Sequence, residues 1–231
     1  VCADDVDNEG EFENTVEVTA SSVTALPKTN SRRYIVYDRI SKSMIIGKNE
    51  DVKSAMASTT KIMTTIVILE KSDLDETVTV SAKAGGTGGS RLGLKRGDKA
   101  SVKDLLYGLM LRSGNDAAVA LAEHVGGSVK EFAELMNEKA IELGLTNTHF
   151  VTPHGLDDAN HYTTALELAK LTDYAMDNET FAKIVGTKST TIYINNQPRQ
   201  INNTNELLGV LNGVVGVKTG FTNNAGRCLV T

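Results

Sequence analysis

The segments of this chain with the strongest β-propensity lie at its two ends, and the stretch between them reads mainly as helix. Tyr34-Ile-Val-Tyr37 and Ser43-Met-Ile-Ile46 are short β-prone runs, and the polar residues around Ser41-Lys42 separate them as a hairpin would. At the other end, residues 190–194, 214–219 and 228–231 are again β-prone. Residues 58–71 form the first expected helix; Ile62, Met63, Ile66, Val67, Ile68 and Leu69 are apolar on several faces, which predicts a buried rod rather than an amphipathic one. Further helices are expected from Ser101 through Met110 and over the Ala-rich residues 116–125. Two capping boxes, Ser128-Val-Lys-Glu131 and Thr164-Ala-Leu-Glu167, start two more, the first stopping at Gly144 and the second running to about Met176. Residues 77–80 read as a short strand, and Gly85-Gly-Thr-Gly-Gly89 as a flexible loop without the spacing of a phosphate-binding loop. The fold class expected is therefore α+β, with an antiparallel sheet formed by both chain ends, packed against helices, and a mostly helical subdomain.

Composition narrows the function. The 231 residues are 40% hydrophobic, carry a net charge of −5 and include two cysteines, Cys2 and Cys228. That excludes a disulfide-stapled scaffold and speaks against a nucleic-acid partner, which calls for a basic footprint. No apolar run approaches the ~18 residues of a membrane span. The first 28 residues hold seven acidic side chains (Asp4, Asp5, Asp7, Glu9, Glu11, Glu13, Glu17) against one basic residue, Lys28. Residues 1–31 are thus expected to be a disordered acidic lead-in, and 32–231 the folded domain. Val1-Cys2-Ala3 is compatible with the end of a cleaved leader or with a lipid-anchored cysteine.

Three short motifs carry chemistry: Ser58-Thr-Thr-Lys61, Ser113-Gly-Asn115 and Lys218-Thr219-Gly220. Taken singly each has a plainer explanation: Ser58 as a helix N-cap, Ser113-Gly114 as an interhelical loop, Lys218 as a solvated strand residue. Their order and context together match serine acyl-transfer enzymes of the penicillin-recognising type. Ser58 and Lys61 stand at i and i+3, so on a helix they share a face. A serine hydroxyl needs a base, and a lysine serves only when neutral, a state favoured by burial and by a second cation such as Lys218. Ser113 is placed to relay a proton to the leaving amine, and Asn115 to bond a substrate amide. Lys218 and Thr219 suit a substrate carboxylate, and Gly220 lets a strand approach closely.

Around these motifs the chain resembles the D-alanyl-D-alanine carboxypeptidases, the low-molecular-mass penicillin-binding proteins of serine peptidase family S11. The likeness extends over Ala57-Ser-Thr-Thr-Lys-Ile-Met-Thr64, Leu111-Arg-Ser-Gly-Asn-Asp-Ala-Ala118, Leu143-Gly-Leu-Thr-Asn-Thr-His-Phe150, Pro153-His-Gly-Leu156, His161-Tyr-Thr-Thr-Ala165 and Gly216-Val-Lys-Thr-Gly-Phe-Thr222. It implies a β-lactamase/transpeptidase-like fold. It also implies a nucleophile Ser58 acting on the terminal D-alanine of peptidoglycan stem pentapeptides, an oxyanion hole from the backbone N–H groups of Ser58 and Phe221, and covalent inhibition by β-lactam antibiotics. No cofactor or metal is implied; the four histidines (His124, His149, His154, His161) lack ligand spacing. The resemblance further implies an extracytoplasmic location, membrane association only through segments outside this chain, and a C-terminally truncated sheet with an exposed edge. Two alternatives share some of these features. A serine β-lactamase would need a water-positioning glutamate, for which Glu167 is the nearest candidate. A non-catalytic peptidoglycan-binding homologue would have no use for intact Ser58, Lys61, Ser113 and Lys218.

Overall fold

The computed structural model describes residues 29–231, so the acidic lead-in and Cys2 lie outside the described residues. Residues Arg32–Thr231 form one compact unit. In chain order its elements are β1 (Tyr34–Asp38), β2 (Ser43–Lys48), a 3-10 turn (Ala57–Thr60), α1 (Lys61–Lys71), β3 (Thr77–Thr79), α2 (Ala82–Gly86), β4 (Lys99–Ser101), α3 (Val102–Leu111), α4 (Asn115–Gly126), α5 (Val129–Glu142), α6 (Ala165–Met176), α7 (Glu179–Val185), β5 (Ser189–Ile194), β6 (Gln197–Asn202), β7 (Lys218–Thr222) and β8 (Gly226–Val230).

The helices surround α1. Its Ile62, Met63, Ile66, Val67 and Ile68 are all buried, as expected of a rod apolar on several faces, and α3, α4, α5, α6 and α7 contact it. The alanines of α4 (Ala117, Ala118, Ala120, Ala122) are buried too, and their small side chains let α4 lie close to its neighbours. Helix starts follow local chemistry: Ser101, Ser128 and Thr164 each accept from the backbone N–H three residues on, and Gly144 follows α5 with φ +68°.

Four antiparallel hairpins make up the strands: β1–β2, β3–β4, β5–β6 and β7–β8. The sheet expected to join the chain ends is present as two separate hairpins, β1–β2 and β7–β8, with no ladder between them among the described residues. Val36, Met44, Ile45 and Leu229 on these hairpins are exposed. Ion pairs fasten the β1–β2 turn to α6: Arg39 Nε and Lys42 Nζ meet the Asp173 carboxylate at 2.9 and 2.8 Å, and Arg39 reaches Asp177 at 2.6 Å. These are partly exposed pairs, and solvent screening keeps the contribution of each small.

Three sequence expectations need correction. The strand expected over 214–219 begins only at Lys218 and runs to Thr222. The partner of β5 was not anticipated, because Pro198 and a polar sequence mask β6; Asn195 and Asn196, both with positive φ, close a tight two-residue turn between them. The glycine run 85–89 is not wholly loop: Gly85 and Gly86 end α2, whose N-cap Ser81 accepts from Ala84 N–H, and Gly88 and Gly89 lie against Asn115.

The loop after α2 is tied down by one carboxylate. Asp116, fully buried, accepts from the backbone N–H groups of Leu92, Gly93 and Leu94 at 2.8, 2.7 and 2.9 Å. Asp116→Ala orphans three donors at once and should lower unfolding free energy by about 3 kcal/mol in urea titration. Asp116→Asn, which keeps one acceptor oxygen, should lose less.

Candidate active site

Ser58 lies within the 3-10 turn that leads into α1, and Lys61 is the first residue of that helix. The i to i+3 spacing brings the Lys61 amine to 2.9 Å from the Ser58 hydroxyl. Two further oxygens complete the amine's surroundings: Asn115 Oδ1 at 2.8 Å and the backbone carbonyl of His154 at 2.9 Å. Asn115 Nδ2 donates to Gly88 O at 2.8 Å, which fixes the amide orientation with Oδ1 toward Lys61. That leaves Asn115 with one N–H and one lone pair uncommitted, enough to meet a substrate amide.

The amine is fully buried, with no carboxylate in salt-bridge contact among the described residues. Burial, and then the charge of Lys218, hold its pKa well below the ordinary 10.5, against a smaller opposing pull from Asp116. A neutral amine has two N–H groups and one lone pair. The carbonyls of His154 and Asn115 can only accept, so they take the two N–H groups, and the lone pair is left for the Ser58 O–H.

β7 closes the other side. A Cβ at Gly220 would stand 2.9 Å from Ser58 N, so only glycine lets the strand come this close to the nucleophile turn. Lys218 is buried, donates to Thr219 O at 2.8 Å, and is pushed by burial down to about 7. The Thr219 hydroxyl pairs with that of Thr204 at 2.8 Å, while Thr204 N–H donates to Leu111 O at 3.0 Å. Thr204, which sequence reasoning did not single out, thus links the third motif to the end of α3. Phe221 turns its ring to solvent, 65% exposed, so what it offers the site is backbone.

The structure brings Ser58, Lys61 and Asn115 into direct contact, couples Lys218 to Lys61 electrostatically, and lays Gly220 on Ser58. Ser113 sits two residues before Asn115, mostly buried, with φ +58°; its hydroxyl has no hydrogen-bond partner among the described residues. Two histidines outside the three motifs stand behind the site, His154 in a loop whose family likeness implies only substrate-side packing. His154 supplies a carbonyl to Lys61, and His161 bonds Thr60 at 2.8 Å. Glu167 is committed elsewhere: it accepts from Asn147 N–H at 2.9 Å and from the Thr148 hydroxyl at 2.5 Å. It is a structural carboxylate, not one placed to hold a deacylating water. Cys228 is half-buried on β8, and burial raises its thiol pKa.

The fold is that of the DD-peptidases. A solved structure of a mutant Streptomyces DD-transpeptidase superposes with TM-score 0.84 at 36% identity, covering 88% of this chain and 85% of that one. The D-alanyl-D-alanine carboxypeptidase of Mycobacterium tuberculosis gives TM-score 0.85 at 34% identity, covering 90% and 79%. The family model for D-alanyl-D-alanine carboxypeptidases, serine peptidase family S11, matches residues 18–231, and the chain belongs to that family. Among curated relatives, D-alanyl-D-alanine carboxypeptidase DacF of Bacillus subtilis is 38% identical over 201 residues, 84% of this chain and 52% of its own length. The chain spans about half the length of the first such relatives it matches.

Burial depresses both histidines, His161 to about 4 and His154 to about 3, from an ordinary 6.5. Between those values and 6.5 the unfolded chain binds protons that the folded one does not. Stability therefore rises with pH across that window and is lost on acidification. Each histidine should contribute a slope of about 1.4 kcal/mol per pH unit, measured as urea unfolding free energy between pH 4.5 and 6. Replacing either one by a non-titrating residue should remove its own contribution, about half of the slope the two give together.

Proposed function

We propose that this chain carries the catalytic machinery of a serine-type D-Ala-D-Ala carboxypeptidase. Its substrate is the peptidoglycan stem pentapeptide, and it removes the terminal D-alanine through an acyl-enzyme on Ser58. The observation that carries this reading is the Lys61 amine: buried, unpaired with any carboxylate, and left with one lone pair facing the Ser58 hydroxyl.

In this mechanism Lys61 takes the Ser58 proton as the oxygen attacks the carbonyl between the two D-alanines. The resulting oxyanion is received by the backbone N–H groups of Ser58 and Phe221, in a site that strengthens such bonds by excluding water. Ser113 relays to the departing D-alanine amine the proton that Lys61 took from Ser58. Lys218 and Thr219 hold the terminal carboxylate, Asn115 bonds the substrate amide, and Gly220 leaves room for the substrate beside the strand. Water then releases the acyl group. A β-lactam acylates the same serine and leaves slowly. No cofactor or metal takes part. The substrate is a wall polymer, so the site of action is extracytoplasmic, in the bacterial cell envelope.

Mass spectrometry after incubation with a penicillin should show a single adduct on the wild type and none on Ser58→Ala; an adduct that survives this substitution would overturn the assignment. The pH profile offers a second check. Acylation requires neutral Lys61 and charged Lys218, so its rate should rise with pH and then fall above about 7, where Lys218 loses its proton. Removing the second cation with Lys218→Gln favours the charged form of Lys61. The rising limb should therefore move to higher pH and the fall near 7 should vanish. A profile that keeps both limbs in place would exclude Lys218 from this role.

A further inference from the structure

We propose that His161 is a positioning residue for the acyl-transfer reaction: through Thr60 it fixes the Ala57 carbonyl and with it the backbone turn that presents Ser58. The inference deepens the proposed reading of Ser58 as nucleophile and rests on it.

The direction of every hydrogen bond in this chain of contacts is forced by its ends. His161 Nδ1 accepts from Val151 N–H at 2.9 Å, with a longer contact from Thr152 N–H at 3.4 Å. Nδ1 therefore carries no proton, and in the neutral ring Nε2 does. That Nε2–H donates to Thr60 Oγ1 at 2.8 Å. Thr60 keeps its own proton, which it donates to the Ala57 carbonyl at 2.8 Å. Both terminal groups are backbone, one an obligate donor and the other an obligate acceptor, so no other arrangement satisfies all of them.

Both ends of this relay bear on the reacting pair. Ala57 directly precedes Ser58 and has φ +49°, a conformation that is costly for an alanine and persists only where its surroundings impose it. At the other end, His161 holds residues 151 and 152, which lead directly into Pro153 and His154. The carbonyls of those two residues accept from the Thr64 hydroxyl at 2.7 Å and from the Lys61 amine at 2.9 Å. One side chain thus spans the support of the nucleophile and the support of its base.

The task demands an imidazole. It needs an acceptor and a donor on one rigid planar ring, pointing to different backbone segments. Phe150 packs edge-on against the ring at 5.7 Å. His161 is only 3% exposed, and Thr60 and Ala57 are buried, so none of the three meets the substrate directly. Their effect must pass through the geometry of Ser58 and Lys61.

The test uses the full chain and a fluorescent penicillin, with the noncovalent dissociation constant and the acylation rate constant measured separately. His161→Phe keeps the ring's shape without its hydrogen bonds, Thr60→Val keeps the volume without the hydroxyl, and His161→Gln keeps an N–H donor toward Thr60. Acylation should slow roughly ten- to a hundredfold in His161→Phe and in Thr60→Val, with the dissociation constant within about twofold. The double variant should be no slower than the worse single one, since both interrupt one relay. His161→Gln should recover most of the rate, which a purely structural role would not require. The proposal is overturned if folded His161→Phe or Thr60→Val acylates at the wild-type rate, if the two losses multiply, if the loss falls on the dissociation constant, or if His161→Gln is as slow as His161→Phe. Should His161→Phe not fold, Thr60→Val and His161→Gln decide the matter between them. Wild type that forms no adduct at Ser58 would instead sink the functional reading, an outcome distinct from all of these.

Discussion

The rest of this site depends on an amine buried without a counter-ion. Removing an ammonium from water costs several kcal/mol even after the protein relaxes, and among the described residues no carboxylate stands in contact with Lys61 to offset it. Burial and the neighbouring Lys218 shift the balance toward the neutral amine. Three separate pieces of chain then have to supply oxygens at bonding distance: the 3-10 turn with Ser58, the start of α4 with Asn115, and the loop with His154. Because two of those oxygens can only accept, the geometry also chooses which way the third contact runs. Chemical reactivity here follows from desolvation and from counting hydrogen-bond donors, and the helices packed around α1 make the desolvation possible.

A second buried amine makes the first less basic. Lys218 lies on β7, and β7 reaches the nucleophile turn only because Gly220 has no side chain to hold it off. The strand is in turn anchored from outside: Asn205 Nδ2 donates to Gly216 O at 2.6 Å, and Thr204 ties Thr219 to the end of α3. Two lysines that each carry a desolvation cost are held close enough to oppose each other's charge. Such an arrangement works against stability and is intelligible only if the neutral amine is put to use.

Local signals were read well in the sequence, and distant ones were not. Helix starts at Ser101, Ser128 and Thr164 are legible because the capping oxygen and its N–H are three residues apart. The pair Ser58 and Lys61 is legible for the same reason. The buried character of α1 shows in its apolar residues on every face. By contrast, β6 hides behind Pro198, and the strand expected at 214–219 starts late although its first residues are apolar. The relay from His161 to Thr60 spans 101 residues of chain, and Asp116 reaches back more than 20 to its three backbone donors. No periodicity or spacing encodes such contacts; they exist only once α1, α4 and the 150–163 segment have packed together.

The same view explains where the backbone is strained. Ala57, directly before the first motif, and Ser113, the first residue of the second, are two of the non-glycine residues held at positive φ, at 49° and 58°. Each lies at the junction where a turn must redirect the chain so that a polar group faces inward rather than along the helix. Gly155, at φ +87°, lies so close to Ala57 that a Cβ there would stand 2.6 Å from Thr60 Oγ1. A residue with any side chain at 155 would therefore push the His154 carbonyl away from Lys61 or the Ala57 turn away from its support. Two strained residues and two glycines of close approach, Gly155 and Gly220, thus serve one requirement: the Ser58 turn, the start of α4 and the His154 loop must bring oxygens to the Lys61 amine at hydrogen-bonding distance while a strand closes on the Ser58 backbone. The well-packed helices beneath supply the stability that such convergence consumes.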